Sequence, residues 1–330
     1  MKTTKHILDH HTFLLVLILF IASCKTDESL PSGKEVISEW TRNNQNPILR
    51  DVYEGGGYES AGDGHIFYDD NGNLNMVYSG DVNDNSSIKL ATGTSMANWE
   101  VNVPLVFEPN SENTDIQKET AFYRKADNGK HQIYYIGYDD NTTYQSQLFL
   151  AESDNLSGPY VQITQPIVAR GTIANQMVYC ITSPTVIKHN GLLYMVFIGW
   201  NDNPNNATQV WVIGATSDDD GYTWANYQLV DAAIAMEGQI TKTPNGNYVA
   251  VRTAEYQDVE AIYYATSSHP FGPWTVNDTP ILIQNDSTLE KDEIIAPQIV
   301  FDSETEEEHL FYTGADHDLG WWIMLAKKIN

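Results

Sequence analysis

The sequence predicts an all-β chain folded as a five-bladed β-propeller, with four-stranded antiparallel blades and an N-terminal strand that closes the last blade. Three observations carry this. A hairpin pattern recurs five times along the chain, each copy is followed by a third strand of constant register, and the last repeat lacks a fourth strand for which a match exists near the N-terminus.

The chain opens MKTTKHILDHHTFLLVLILFIASCKTDES, with Lys2 and Lys5 ahead of an apolar run from Phe13 to Ala22 and a small residue, Ser23, before Cys24. The run is short for a permanent membrane span and has the layout of a signal peptide. Residues 1–23 are therefore expected to be a lipoprotein signal peptide, because I-A-S-C resembles a bacterial lipobox whose cysteine becomes the lipidated first residue. Residues 24–37 then form a polar tether from Cys24, and 38–330 form the propeller. This reading makes the chain an exported lipoprotein of the outer membrane or cell surface of a Gram-negative bacterium, bound to the membrane through its lipid. The remaining cysteine, Cys180, forms no disulfide framework and is expected as a small buried residue.

EWTRNNQNPILR, from Glu39, comes next and is the strand assigned to the last blade; Trp40 and Pro47 have nearly the spacing of Trp274 and Pro280 in blade four. Closure by this strand removes the free sheet edges of an open array. The hairpins follow: AGDGHIFYDDNGNLNMVYSG from Ala61, QKETAFYRKADNGKHQIYYIG from Gln117, ITSPTVIKHNGLLYMVFIG from Ile181, AMEGQITKTPNGNYVAV from Ala235 and IIAPQIVFDSETEEEHLFYTG from Ile294. All but the last turn on Gly, Asn or Asp. Aligned this way, the equivalent positions are Asp63, Glu119, Ser183, Glu237 and Ala296, at steps of 56, 64, 54 and 59. Third strands IKLATG, LFLAES, VIGATS, IYYATS and IMLAKK keep an alanine in register. Fourth strands such as PYVQITQPIVA and PWTVNDTPILI carry Pro, which an outer edge tolerates. The segment DDDGYTW at 218–224, which resembles the Asp-box turn of sialidase-type propellers, is expected as a β-turn with an aromatic packed beneath it.

The net charge of −26, from 18 basic and 44 acidic residues, excludes the phosphate neutralisation on which nucleic-acid binding depends. In a propeller the first strand of each blade lines the axis, so Asp63, Glu119 and Glu237 are expected to converge at one mouth of the channel. Like charges gathered in a narrow, partly apolar place suppress one another's ionisation, leaving an acid and a base side by side. Cleavage of a glycosidic bond needs such a pair. The second-to-third-strand loops and the inter-blade links reach the same mouth, bringing Trp200, Arg252, Tyr179 and His317 to the expected sugar pocket. His65, two residues beyond Asp63, points to the axis again and either orients a carboxylate or fills the channel. No organic cofactor is implied. The carboxylates would also suit a calcium ion in the central channel, structural or assisting, although no D-x-D-x-D-G loop is present.

With its repeats placed, residues 38–330 resemble the five-bladed glycosidases that include arabinanases, levansucrases and invertases, and most nearly glycoside hydrolase family 43. The resemblance implies that Asp63 is the general base and Glu237, in M-E-G-Q, the proton donor. It also implies a modulating Asp in blade three, where T-S-P-T places Ser183; Glu119 is then a candidate to compensate. The implied function is a lipid-anchored glycoside hydrolase that removes terminal sugars from a carbohydrate by inversion. The alternative of a different class is a non-catalytic, surface glycan-binding lipoprotein with the same mouth and Trp200 as a stacking platform.

Overall fold

The structure is a computed structural model and describes residues 39–51, 59–82, 85–105, 107–108, 117–138, 145–163, 165–202, 206–231, 237–285 and 289–329. The expected signal peptide, Cys24 and the expected tether lie outside the described residues. No helix among the described residues is long and apolar enough to cross a membrane.

Every named element is a strand. Before blade one come β1 (Trp40–Arg42) and β2 (Glu59–Ser60). Blade one is β3 (Gly62–Tyr68), β4 (Leu74–Val82), β5 (Asn85–Ser95) and β6 (Asn98–Pro104). After β7 (Phe107–Glu108), blade two is β8 (Gln117–Lys125), β9 (His131–Tyr138), β10 (Ser146–Ser153) and β11 (Tyr160–Gln162). A small hairpin, β12 (Gly171–Ile173) and β13 (Gln176–Val178), precedes blade three: β14 (Cys180–His189), β15 (Leu192–Trp200), β16 (Val210–Ser217) and β17 (Ala225–Leu229). Blade four is β18 (Ile240–Lys242), β19 (Tyr248–Tyr256) and β20 (Val259–Ser267), with an outer edge shared by β21 (Thr275–Val276) and β22 (Leu282–Ile283). Blade five is β23 (Glu293–Phe301), β24 (Glu308–Asp316) and β25 (Gly320–Lys328).

The hairpin turns follow local chemistry. In the first, the Asp69 carboxylate accepts from the Asn71 and Asn73 amides at 2.9 and 2.8 Å, and Gly72 takes φ 79° with open space where a Cβ would be. Conformation alone therefore asks for glycine there. The glycine-free fifth turn is built instead by Asp302, whose Oδ1 accepts from the Glu304 and Thr305 amides at 2.9 and 2.8 Å. In the 218–224 segment the Asp219 carboxylate accepts from the Thr223 amide at 2.9 Å and Trp224 is buried beneath the turn, as the sequence indicates.

The innermost strands touch in a closed ring, β3 against β8, β8 against β14, β14 against β18, β18 against β23, and β23 against β3. An apolar cluster fills each of the five spaces between neighbouring blades. The last blade closes with β1, which runs antiparallel to β25 with Trp40 opposite Lys328 and Arg42 opposite Ala326. Trp40 is buried in the cluster between blades four and five. Arg42 secures the strand: its Nε donates to Glu290 Oε1 at 2.8 Å, and Tyr312 donates to the same oxygen at 2.6 Å.

One feature repeats around the axis. Asp63, Thr120, Ser183, Glu237 and Ala296 all have φ between 46° and 59°. In blades one, two, three and five this residue sits in a β-bulge, where strand pairing skips from Gly62 to His65, Glu119 to Phe122, Thr182 to Thr185 and Ile295 to Gln298. The equivalent position in blade two is thus Thr120, which corrects the expected Glu119 by one residue. A bulge breaks the two-residue alternation, so K-E-T-A offered two polar residues for one place.

Candidate active site at the channel mouth

The five positive-φ residues, four of them in bulges and Glu237 just ahead of β18, meet. Asp63, Thr120, Ala121, Ser183, Pro184, Glu237, Gln239 and Ala296 line one small cavity at the axis, with a free volume of about 20 Å3, room for about one water. Positive φ is what turns each residue out of its strand's alternation and toward this point. Blade four shows how tight the fit is: a Cβ on Gly238 would lie 1.5 Å from the Val251 carbonyl oxygen, so the residue after Glu237 has to be glycine for β19 to pass.

Asp63 is held from two blades. Its Oδ2 accepts from Ser79 Oγ at 3.0 Å, and its amide donates to Thr313 Oγ1 at 3.1 Å. Ser79 Oγ also accepts from the Thr120 amide at 3.0 Å, tying blade two to the Asp63 carboxylate. Burial pushes Asp63 up to about 6, offset in part by the Ser79 hydrogen bond. Glu237 is held well above the ordinary carboxylate range, first by burial and then by the negative charges of Asp63, Glu293 and Glu260. The cavity thus joins a carboxyl that ionises near pH 6 to one held well above its ordinary range. Thr120 Oγ1 is buried there without a hydrogen-bond partner, a donor and acceptor left for a water or a ligand hydroxyl.

Below the mouth the channel is filled. His65 is 6% exposed, packs at a tilt against Phe122 with 4.0 Å between ring centroids, and lies 2.6 Å through Nδ1 from Gln239 Oε1. Burial pushes its imidazole down to about 4, so it is neutral. Of the two roles open to it from sequence, the structure places it as a channel filler beneath Gln239, outside the cavity lining. Gln298 seals the same layer through the Ile66 amide at 2.7 Å.

Other expected pocket residues stand elsewhere. Glu119 faces Tyr138 of its own blade, accepting from its hydroxyl at 3.1 Å. Trp200 is 6% exposed, with Nε1 donating to Thr182 Oγ1 at 3.2 Å, so its ring is core and presents no free platform. Tyr179 packs against that same cluster and accepts from Gln145 Nε2 at 2.8 Å. The Arg252 guanidinium lies over the Tyr263 ring at 5.4 Å. His317 pairs within its own blade, with Nε2 2.9 Å from Glu293 Oε1. The sequence reading passed over Glu260, Glu293, Thr120 and Gln239. Glu293, in K-D-E-I-I-A, carries the same signal as Glu237, an acid opening an apolar strand. Among the described residues no group of three His, Cys, Asp or Glu side chains is arranged to hold a metal ion. Cys180 is buried against Ser146 Oγ at 2.9 Å, and burial pushes its thiol up to about 11.

No protein-family profile matches the chain, and no curated protein matches it in sequence. Solved structures do match in fold. A thermostable family-43 glycoside hydrolase superposes with TM-score 0.64 at 15% identity, covering 84% of this chain and 91% of its own. The GH43_1 enzyme from Xanthomonas citri, complexed with xylotriose, gives TM-score 0.61 at 17% identity over 85% and 89%. An N-acetylgalactosamine deacetylase from F. plautii, in complex with blood group B trisaccharide, gives 0.65 at 12% identity over 88% and 96%. The chain therefore shares the five-bladed fold of these proteins.

Proposed function

We propose that the chain is a glycoside hydrolase that cleaves terminal sugars of an oligo- or polysaccharide with inversion. The observation that carries this reading is the pairing, on one cavity with room for about one water, of Asp63, which ionises near pH 6, with Glu237, whose carboxyl burial and the Asp63 charge hold well above its ordinary range. Glu237 protonates the leaving oxygen while Asp63 takes a proton from the water that attacks the anomeric carbon from the opposite side. The glycosidic bond breaks, the water oxygen forms the new bond, and no covalent sugar–enzyme intermediate arises. Ser79 and Thr313 fix Asp63, and the Thr120 hydroxyl is available to the water or to a sugar hydroxyl. With the channel below filled by His65, the sugar sits above the cavity. The fold neighbours complexed with xylotriose and with blood group B trisaccharide support a carbohydrate ligand. Since one fold carries several chemistries, the proposed reaction class rests on the carboxyl pair and not on the likeness.

The test is a panel of aryl glycosides and polysaccharides, with the anomer of the first product read by NMR. Glu237→Gln should lose about 10²–10⁴-fold in turnover on glycosides with poor leaving groups and much less on dinitrophenyl glycosides, which need no protonation. Binding that persists in Glu237→Gln and Asp63→Asn, with no turnover in the parent on any substrate, would establish the glycan-binding alternative. Export and lipidation at Cys24 belong to the same proposal, supported by the Lys2, Lys5, apolar-run and I-A-S-C pattern; Cys24→Ala should abolish labelling by palmitate and release the chain from membranes.

A further inference from the structure

Glu237 precedes β18 and the turn at 243–247 follows it, so the turns between first and second strands stand at the end of the ring opposite the channel mouth. On that face neighbouring blades are tied by side chains. The Ser303 amide of blade five donates to the Tyr68 hydroxyl of blade one at 3.2 Å, and Lys125 of blade two pairs with Asp70 of blade one at 3.7 Å. Lys188 of blade three pairs with Asp127 of blade two, and His189 Nδ1 of blade three lies 2.7 Å from the Tyr248 hydroxyl of blade four. The fifth gap has no such tie. Among the described residues, the blade-four turn at 243–247 makes no hydrogen bond or ion pair with the blade-five turn at 302–307. Each is closed on itself instead, Thr243 Oγ1 donating to the Asn247 carbonyl at 3.0 Å and Asp302 Oδ1 accepting from the Thr305 amide at 2.8 Å. Between blades four and five this leaves a cleft of about 700 Å3, a size that suits a small ligand or a short stretch of a chain.

The lining of the cleft selects its ligand. Tyr264 and Phe301, both half-buried, supply an apolar surface. Beside them, among the described residues, the Thr266 and Thr275 hydroxyls and the Asn247 side-chain amide make no hydrogen bond within the protein. Each of these groups both donates and accepts, as a sugar hydroxyl does. No lysine, arginine or histidine lines the cleft, and its two carboxylates, Glu306 and Glu308, oppose an anion. Glu308 is already paired, its Oε1 accepting from Lys328 at 3.0 Å, so the cleft offers hydroxyls and amides more than an unmatched charge. We propose that the cleft between blades four and five is a second carbohydrate site, which holds a neutral glycan chain on the face away from the channel mouth. The C–H face of a sugar ring packs on Tyr264 and Phe301 while its hydroxyls bond Thr266, Thr275 and Asn247. Such a site performs no chemistry. It holds a polymeric ligand to the protein and so raises the concentration of the same chain at the mouth. The inference rests on the reading of the protein as one that takes carbohydrate, and it holds for a hydrolase and for a binding protein alike.

The test is affinity electrophoresis of the full-length protein in gels containing arabinan, xylan, galactomannan or dextran, with polygalacturonate as the anionic counterpart. At least one neutral polysaccharide should retard the protein, both in the parent and in Glu237→Gln, which leaves the polymer intact. Thr266→Trp fills the cleft from an exposed position on β20 and should weaken that retardation by about tenfold in Kd. Thr275→Arg, also at an exposed position, serves as a second variant if Thr266→Trp fails to fold. Turnover on an aryl glycoside, which is too short to reach from one face to the other, should stay at the parental level in both. Polygalacturonate should not bind through the cleft. Retardation by none of the neutral polysaccharides, or retardation unchanged in a folded cleft variant, would overturn the proposal. So would retardation by polygalacturonate that the cleft variants abolish. Retardation that the cleft variants weaken, in a protein with no turnover on any substrate, upholds the second site and overturns only the glycosidase reading.

Discussion

Asp63 and Glu237 have the same functional group, and in the proposed reaction their different surroundings divide the work between them. Because the base must be ionised and the acid protonated, kcat/KM should rise through about pH 6 as Asp63 loses its proton and stay high until Glu237 loses its own, well above the usual glutamate range. The same raised values have a stability cost of definite sign. A carboxyl whose folded pKa exceeds its unfolded one favours the folded state fully below the unfolded value, near 4 for Asp63, and that contribution is lost as pH rises through about 6. Asp63→Asn should therefore raise the melting temperature at pH 8 by about 2–4 °C and change it little at pH 4, as measured by calorimetry. Ser183 and Glu119 respond differently. Ser183 lines the cavity with φ 52°, a conformation Asp63 itself adopts, so Ser183→Asp should add charge beside Glu237 and move the alkaline limb of the pH–rate profile upward. Glu119→Gln should leave that limb where it is, since Glu119 faces Tyr138 and not the cavity.

Among the strands, the bulge in the innermost one is the element that makes the site. In four blades it turns one residue to the axis, with Asp, Thr, Ser and Ala alike, and in blade four Glu237 takes the same positive φ just ahead of β18, so backbone conformation and not side-chain identity sets the geometry. Blade four is the most constrained, since β19 passes directly over Gly238. Gly238→Ala should force β18 and β19 apart at the mouth, costing about 1–3 kcal/mol and displacing Glu237. The expected readout is a lower melting temperature together with a loss of turnover larger than the loss of stability explains. The bulge is also where sequence reasoning reached its limit. The hairpins, third strands and aromatic-Pro edges were legible because each has its own period and turn chemistry. Glu119 against Thr120 was not, because one inserted residue in a strand leaves no trace in composition.

At the scale of the molecule, the ring depends on a strand from the other end of the chain. β1 supplies Trp40 to the cluster between blades four and five, and Arg42 neutralises Glu290, whose side chain is 1% exposed. Arg42→Ala would leave that carboxylate buried with only Tyr312 for company, at a cost of about 3–5 kcal/mol, seen as a melting temperature lower by about 6–15 °C. Deleting residues 39–50 should do more, exposing the β25 edge and promoting self-association detectable by light scattering.

Sequence alone determined the five repeats, the strand count in each, the closing strand and two of the carboxyls at the axis, Asp63 and Glu237. All of these follow from local periodicity, turn residues and the position of an acid at the head of an apolar strand. Only the tertiary structure decided that Trp200 is buried in the core with Tyr179 packed against it, that His65 is buried beneath Gln239, that Thr120 takes the place expected of Glu119, and that the charge of Glu293 in blade five acts on Glu237 in blade four. These are relations between blades brought together by ring closure, and nothing local in a strand states which neighbour its side chains will meet.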